Sequence, residues 1–488
     1  MRRSSLLVFP LVLALTSCIS PESEFASSDC TAPVQPGFTR IFIGVPARRG
    51  QQSGTSAQDP LDGTTADKFD TILRTIADGQ RPTWGLQSQI PPQNLVVCIG
   101  PGIFHTNGQY DWRIASGHRL GAHSVGFTVE KNWKIHGHGT GRTMLVLEGY
   151  MRDHFTDLAG NPFAGGSNIA IGTHSPDASG VEVSDLTIDA NHDALYRLES
   201  LPLNLSAIVL RSRQGGHWIH NVHVVGASGD LGAANIRYEA FPIFIWGDSP
   251  MGDSSTSRDN LVEKTSVTHP GRAVFADQFP GGSVSAIVVG NAVAEVRENL
   301  VDGYNIAYGG WSMGPAWFHD NIAKNVRYGF NADSFSNVGI TLESNKFIHP
   351  ALFGIMIGGE SQTQMFSRWK VIHNTIEIGV AHAAGLVLRG QVQRSMFADN
   401  TIVSDRSAPQ QVVAIWSYPS GSQTANFGNV FKNNQLDNSQ RIDFSLDPNF
   451  DSNCRFQNHD SRNRALPGFP DNVAAFPGGC AIPDASIP

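Results

Sequence analysis

The chain has 488 residues, 40% hydrophobic and 16% charged, a balance that can bury a large core and excludes a disordered or highly charged chain. Its formal charge is −8 and no segment carries a basic stripe, so a nucleic-acid partner has no electrostatic footprint to rest on. Gly 50 and Pro 27, without a collagen-like period or a low-complexity tract, point to a turn-dense, strand-rich fold.

At the N-terminus Arg2 and Arg3 precede an apolar run from Leu6 to Leu15, too short to span a bilayer and of the kind that directs export. The run ends in Leu15-Thr16-Ser17-Cys18, which resembles the bacterial lipoprotein box. That resemblance implies a signal peptide over 1–17, acylation of Cys18 and anchoring to the membrane through the N-terminal lipid. Ile19 supplies no inner-membrane retention Asp, so the periplasm or outer membrane is the expected location. Four further cysteines, Cys30, Cys98, Cys454 and Cys480, make an even number in an oxidising compartment and favour disulfides over metal ligands. Pairing Cys30 with Cys98 and Cys454 with Cys480 would staple each end of the chain, and two other pairings are open.

Residues 18–93 read as a linker and cap. Within them Ala66 to Ala77 carries Phe69, Ile72, Leu73 and Ile76 on one helical face, after Thr64, Thr65 and Asp67 as capping candidates. A short amphipathic helix covering an open end of the fold is expected here. From residue 94 to 440 a phrase recurs: an apolar residue, a few polar ones, Asn or Asp, then apolar alternation. Val183-Ser184-Asp185-Leu186, Ile219-His220-Asn221-Val222, Phe318-His319-Asp320-Asn321 and Ile372-His373-Asn374 are examples. Asparagines 299, 321, 345, 374, 400 and 434 follow one another at 22, 24, 29, 26 and 34 residues. Short strands at a variable period, with no helical pattern between them, predict a solenoid in which each coil buries its inward alternates against its neighbours. Residues 441–488, rich in Pro, Asn and Asp, would close the far end.

This repeat resembles the right-handed parallel β-helix of the pectate lyase superfamily, whose asparagines stack into a hydrogen-bonded ladder. Asn94 to Phe104 looks like that family's first coil, and Ile135-His136-Gly137-His138-Gly139-Thr140 follows it. The resemblance implies an all-β, single-stranded parallel β-helix with a short N-terminal capping helix, acting on a polysaccharide along one exposed sheet. The ordered Asn-Thr-Asp, Asp-Asp and Gly-His-Gly motifs of its glycosidase branch, and the Asp-Pro-His-Asp signature of alginate epimerases, do not stand in this chain.

The strand phase follows from burying apolar alternates. With Ile169/Ile171, Ile208/Leu210, Ile243/Ile245, Val274/Ala276, Ile306/Tyr308, Phe330/Ala332, Ile355/Ile357 and Leu386/Leu388 inward, the outward columns hold Arg211, Arg213, Trp246, Asp248, Asp277, Trp311, Asp333, Glu360 and Arg389. Aromatic faces stack on pyranose rings, Arg forks hold carboxylates, and carboxylates bind hydroxyls or transfer protons. Asp277 and Asp333, two coils apart, would have backbones on the order of 10 Å apart, within side-chain reach of the roughly 6.5–9.5 Å separation of inverting glycosidases. Asp277, Asp333 and Asp248 are thus the catalytic candidates, with Arg211, Arg213, Trp246, Trp311, Glu360 and Arg389 binding substrate. No motif demands a cofactor. The carboxylates could equally hold calcium, or an arginine could take a proton from a uronate. Lys264, His269 and Arg272 form a second candidate base cluster, with Lys264 read as a broken ladder step. His136, His138, His220, His223, His319 and His373 follow the turns and read as turn or surface residues. The expected function is therefore binding and cleavage or modification of an extracellular or cell-wall polysaccharide, as a lyase or glycoside hydrolase. The rival is a non-catalytic glycan-binding or surface-structural lipoprotein.

Overall fold

The inward alternates do stack into columns, and the columns define a parallel β-helix. The computed structural model describes residues 27–47, 52–80, 90–111, 123–124, 126–148, 155–156, 162–163, 167–173, 175–191, 194, 204–229, 241–248, 257–269, 285–311, 314–332, 337–358, 365–379, 383–404, 413–418, 426–436, 441–443, 450–466, 469–476 and 480. Among these, three long sheets of 14, 13 and 11 strands run the length of the coil, here sheets 1, 2 and 3. Each coil passes from sheet 1 through a tight turn to sheet 3, then to sheet 2 and back. In sheet 1 the inward residues Val97, Ile135, Val183, Ile219, Val262, Val296, Phe318, Leu342, Val371, Phe397 and Phe431 are register partners in sequence, all parallel. With their counterparts from sheets 2 and 3 they form one continuous core. Thr39–Gly44 and Leu61–Asp62 before residue 94, and Cys454–Phe456 after residue 440, also join sheet 1.

The turn from sheet 1 to sheet 3 is held by the asparagine ladder. Nδ2 of Asn299, Asn321, Asn345, Asn374, Asn400 and Asn434 each donates to Oδ1 of the next rung at 2.9–3.0 Å, ending on Asn458. Each Nδ2 also donates to a strand carbonyl one coil back, as Asn345 does to Phe318 O at 2.8 Å. The residue before each rung is left-handed: Glu298, Asp320, Ser344, His373, Asp399, Asn433 and Gln457 have φ of 50–57°. A non-glycine residue resists that region, and the buried ladder bonds offset the cost. Lys264 occupies this left-handed position, with φ of 50°. Thr265 takes the rung instead, its N–H donating to Asn299 Oδ1 at 3.0 Å, so Lys264 is not a broken ladder step.

Sheet 2 departs from the expected phase in two ways. A small residue enters the core just before each large one, so Ala170 and Ala307 line the core where Ile169 and Ile306 were expected. At Gly354 the fit is tight: a Cβ there would lie 2.5 Å from Ile376 Cγ2 and 2.7 Å from Gly385 O. In addition, the strand between Ile243–Gly247 and Ile306–Trp311 is Ser285–Gly290, with Ile287 and Val289 inward, and not the segment at Val274–Phe279. Ser285–Gly290 is a near-continuous apolar run because both its faces are covered, as in parallel sheets generally, and alternation alone passes over such a run.

Each end of the described coil carries a disulfide, and the N-terminal end also a helix. Helix α1, Ser28–Thr31, is tied through Cys30 to Cys98, and Cys454 is bonded to Cys480. Helix α2, Ala66–Ala77, buries Phe69, Ile72, Leu73 and Ile76, with Phe69 against Phe104 and Phe127 at 6.3 and 5.8 Å between ring centroids. Thr65 caps it by accepting from Lys68 N.

Candidate functional site

Because sheet 1 turns Ile219 and Phe318 inward, Trp218 and His220, and Trp317 and His319, must point outward. The register then lays Lys134, Glu182 and Trp218 in one outward column, and His136, Ser184, His220, Glu263, Arg297, His319 and Glu343 in the next. Glu295 stands beside Trp317 in the first column. The result is a hydrogen-bonded strip with one arrangement repeated three strands on. In the first copy, His220 Nε2 meets Glu182 Oε1 of the preceding coil at 3.1 Å, and Trp218 Nε1–H donates to Glu263 Oε1 of the following coil at 3.1 Å. In the second copy, His319 Nε2 meets Glu295 Oε1 at 3.0 Å, and Trp317 Nε1–H donates to Glu343 Oε2 at 3.2 Å. In each, the indole stacks on the imidazole at 3.9 Å between centroids. Three parallel strand spacings separate the copies, about 14 Å. Trp218 is 38% exposed, so its indole, bedded on His220, still meets solvent.

Arg297 joins the two copies, its guanidinium 2.8 Å from Glu263 Oε2 and 2.8 Å from Glu295 Oε1. At the N-terminal end Lys134 Nζ lies 2.6 Å from Asp29 Oδ2 and 3.4 Å from Glu182 Oε2. Burial alone would push the Glu263 carboxyl up, but bonds from Arg297 and Trp218 hold it below its ordinary value. Glu182 is likewise pushed up by burial and brought below its ordinary value by its bond with His220 and the charge of Lys134. Arg297 is raised by its bond to Glu263. These carboxylates are therefore ionised acceptors at neutral pH, suited to binding hydroxyl or ammonium donors. Neither has the raised affinity for a proton that a general acid for glycoside hydrolysis needs.

The sequence-predicted groove on sheet 2 is brought together in part. Arg211 and Trp246 share one register row with Gly290 and Trp311, and Arg389 shares a row with Gly358 and Tyr418. Arg211 Nη2 lies 2.5 Å from Asp248 Oδ1, so two of the candidates neutralise each other. Trp246 lies over Gly290, where a Cβ would sit 2.5 Å from its Cε3, and against Phe244. It is packing rather than an open platform. Arg213 is exposed past the strand end, its N–H donating to Pro176 O at 2.8 Å. The residue between the two inward alternates also faces out: Val209, Phe244, Val288, Met356 and Val387 there are each at most 4% exposed, with Gly309 and the buried Asn331 in the coils between Val288 and Met356. That face is therefore apolar and covered rather than a charged sheet floor. Asp277, Asp333, Glu360 and Arg272 lie outside the described residues, as does Cys18.

Three histidines read as turn or surface residues, His136, His220 and His319, stand in the strip. The signal was present in Trp218-Ile219-His220 and Trp317-Phe318-His319, an outward aromatic and imidazole flanking one inward residue, repeated. Among the described residues one group combines three metal-type ligands, Asp29, His136 and Glu182, with ligand atoms within 4.8 Å of one another.

No protein-family model matches the chain, and no curated protein matches it. Solved structures of similar fold include the A-module of mannuronan C-5 epimerase AlgE6 of Azotobacter vinelandii, at 11% identity and TM-score 0.40, covering 75% of this chain and 90% of that one. A DFA-IIIase from Arthrobacter chlorophenolicus matches at 12% identity and TM-score 0.42, covering 85% and 97%. The tailspike protein of E. coli bacteriophage HK620 in complex with pentasaccharide matches at 10% identity and TM-score 0.40, covering 83% and 65%. The likeness to each is one of fold.

Proposed function

We propose that the protein binds an extracellular or cell-wall polysaccharide along the outer face of sheet 1 and cleaves or modifies it. The observation that carries this reading is the duplicated arrangement Glu182/Trp218/His220/Glu263 and Glu295/Trp317/His319/Glu343. A regular pair of aromatic platforms, each flanked by carboxyl acceptors, fits a polymer with a repeating ring and hydroxyl pattern. The strip holds the carboxylates Asp29, Glu182, Glu263, Glu295, Asp320 and Glu343 against the cations Lys134, Lys264 and Arg297. That balance repels a polyuronate, and the class it fits is a neutral or amino-bearing glycan.

The sequence puts its bond-breaking candidates, Asp277, Asp333 and Asp248, with sheet 2 and not on this face, so turnover is tested separately from binding. The experiment is product analysis across a polysaccharide panel. New reducing ends without ultraviolet absorbance mean hydrolysis, an unsaturated uronate means elimination, and binding without product means the non-catalytic reading. Asp277→Asn or Asp333→Asn should lower turnover about 10²-fold or more; full turnover in both removes them from the chemistry. The same reading includes export and lipid attachment at Cys18, so a tagged fatty acid should label the chain and leave Cys18→Ala unlabelled.

A further inference from the structure

We propose that Asp29, His136 and Glu182 form a binding site for a divalent metal ion of the zinc class, with Lys134 as its built-in competitor. The argument begins with a proton count. Ser184 Oγ–H donates to Asp185 Oδ2 at 2.6 Å, which uses the only hydrogen that hydroxyl has. The 2.8 Å bond between Ser184 Oγ and His136 Nδ1 must then be donated by Nδ1–H. In the neutral imidazole this leaves the lone pair on Nε2. His136 is fully buried, and Nε2 has no hydrogen-bond partner. It lies 3.5 Å from Asp29 Oδ2, so in the neutral ring one acceptor faces another. Two acceptors set against each other in a buried place are costly unless a cation stands between them.

Lys134 Nζ partly fills that need, 2.6 Å from the same Asp29 oxygen. Its side chain is 20% exposed on a flexible four-carbon stem, so it can withdraw to solvent as a metal enters. One imidazole nitrogen with two carboxylates suits zinc and its neighbours better than calcium or magnesium, which favour all-oxygen shells. The His136–Ser184–Asp185 chain is the kind of outer support that orients a ligating histidine. Three protein ligands leave a coordination position open. Glu182 also meets His220 at 3.1 Å, so the ion would sit one strand from the Trp218 platform. Asp29 is held over His136 by the adjacent Cys30–Cys98 disulfide, since Cys98 is the register partner of His136.

The test is calorimetric titration of the chelator-treated, disulfide-intact full chain with Zn²⁺, followed by thermal unfolding with and without the ion. One ion per chain is expected, with a raised unfolding midpoint and no competition from excess Ca²⁺ or Mg²⁺. Lys134→Met should tighten binding at least tenfold. His136→Ala and, as a second variant on the exposed segment, Asp29→Asn should each weaken it at least tenfold. Failure of both the wild type and Lys134→Met to take up Zn²⁺ would overturn the proposal, as would uptake by Lys134→Met alone or undiminished uptake by both His136→Ala and Asp29→Asn. Equal affinity in the wild type and Lys134→Met would overturn the competitor role.

Discussion

Asn345 sits in mid-ladder, and its replacement by Ala gives a loss that can be worked out from its bonds. Its Oδ1 accepts from Asn321 N at 3.2 Å and Asn321 Nδ2 at 2.9 Å, and its Nδ2 donates to Phe318 O at 2.8 Å and Asn374 Oδ1 at 2.9 Å. Asn345→Ala strands the Asn321 backbone N–H, one Asn321 amide hydrogen and the Phe318 carbonyl, all away from water. Each such group costs about 1–3 kcal/mol. Asn374 Oδ1 keeps its bond from Asn345 N at 3.0 Å, and some relaxation is expected, so the net loss should be about 4 kcal/mol. Ser344 would stay in the left-handed region with less to hold it there. Coils of a solenoid can open separately, so the assay is native-state hydrogen exchange at Phe318, Asn321 and Glu343, backed by urea denaturation. The comparison is Asn433→Ala, a left-handed position with φ of 50° whose amide donates to Asp399 Oδ1 at 2.6 Å but which is not a rung. A loss below about 1 kcal/mol, or one no larger than that of Asn433→Ala, would refute the claim that the ladder holds the turn and, with it, the outward strip two residues upstream.

Two pH dependences follow from buried carboxyls of opposite shift. Asp70 is pushed up to about 6 by burial, despite the bonds from Thr106 and Asn107 that oppose it. Its contribution is complete below its unfolded value of 3.8 and is lost as pH rises through 6. The midpoint of Asp70→Asn should therefore gain on wild type between pH 4 and 7, by the equivalent of roughly 2–3 kcal/mol, and a constant difference would contradict the burial argument. Glu263 is shifted down, so its contribution is present above its unfolded value of 4.5 and is lost as pH falls through its folded value. In Glu263→Gln the acid limb of the stability curve should be shallower below pH 4.5, with no change in slope between pH 6 and 8.

The fold was legible because the asparagine spacing reports coil length directly, and a buried amide ladder admits few other residues. Asn458 extended that ladder beyond the expected last rung because the segment around it reads as Pro- and Asp-rich loop. The site was less legible. Alternation about the inward pairs points to the residues that flank them, whereas Val209, Phe244, Val288, Met356 and Val387 stand between them. Those apolar residues mark a covered face. The strip on sheet 1 is hard to see in the sequence because His220 and His319 stand next to the turn asparagines that mark the coils. Their carboxylate partners Glu182 and Glu295 come from the preceding coil, 38 and 24 residues away, a distance that no local motif spans. Likewise, Arg211 and Asp248 stand in the sequence as two separate outward candidates. Only the parallel register, which places Trp246 beside Arg211, shows that the pair neutralise each other.

The measurement that bears most directly on the strip is equilibrium binding of the full chain to a panel of neutral, amino-bearing and uronate oligosaccharides, with Trp218→Ala and Trp317→Ala in parallel. If the two indoles are platforms for one glycan, a neutral or amino-bearing oligomer should bind in preference to the uronates, and each variant should lose at least tenfold in affinity while keeping its fold, about the worth of one aromatic contact. Unchanged affinity in both variants, or a preference for the polyuronate, would contradict the assignment of sheet 1 as the binding face.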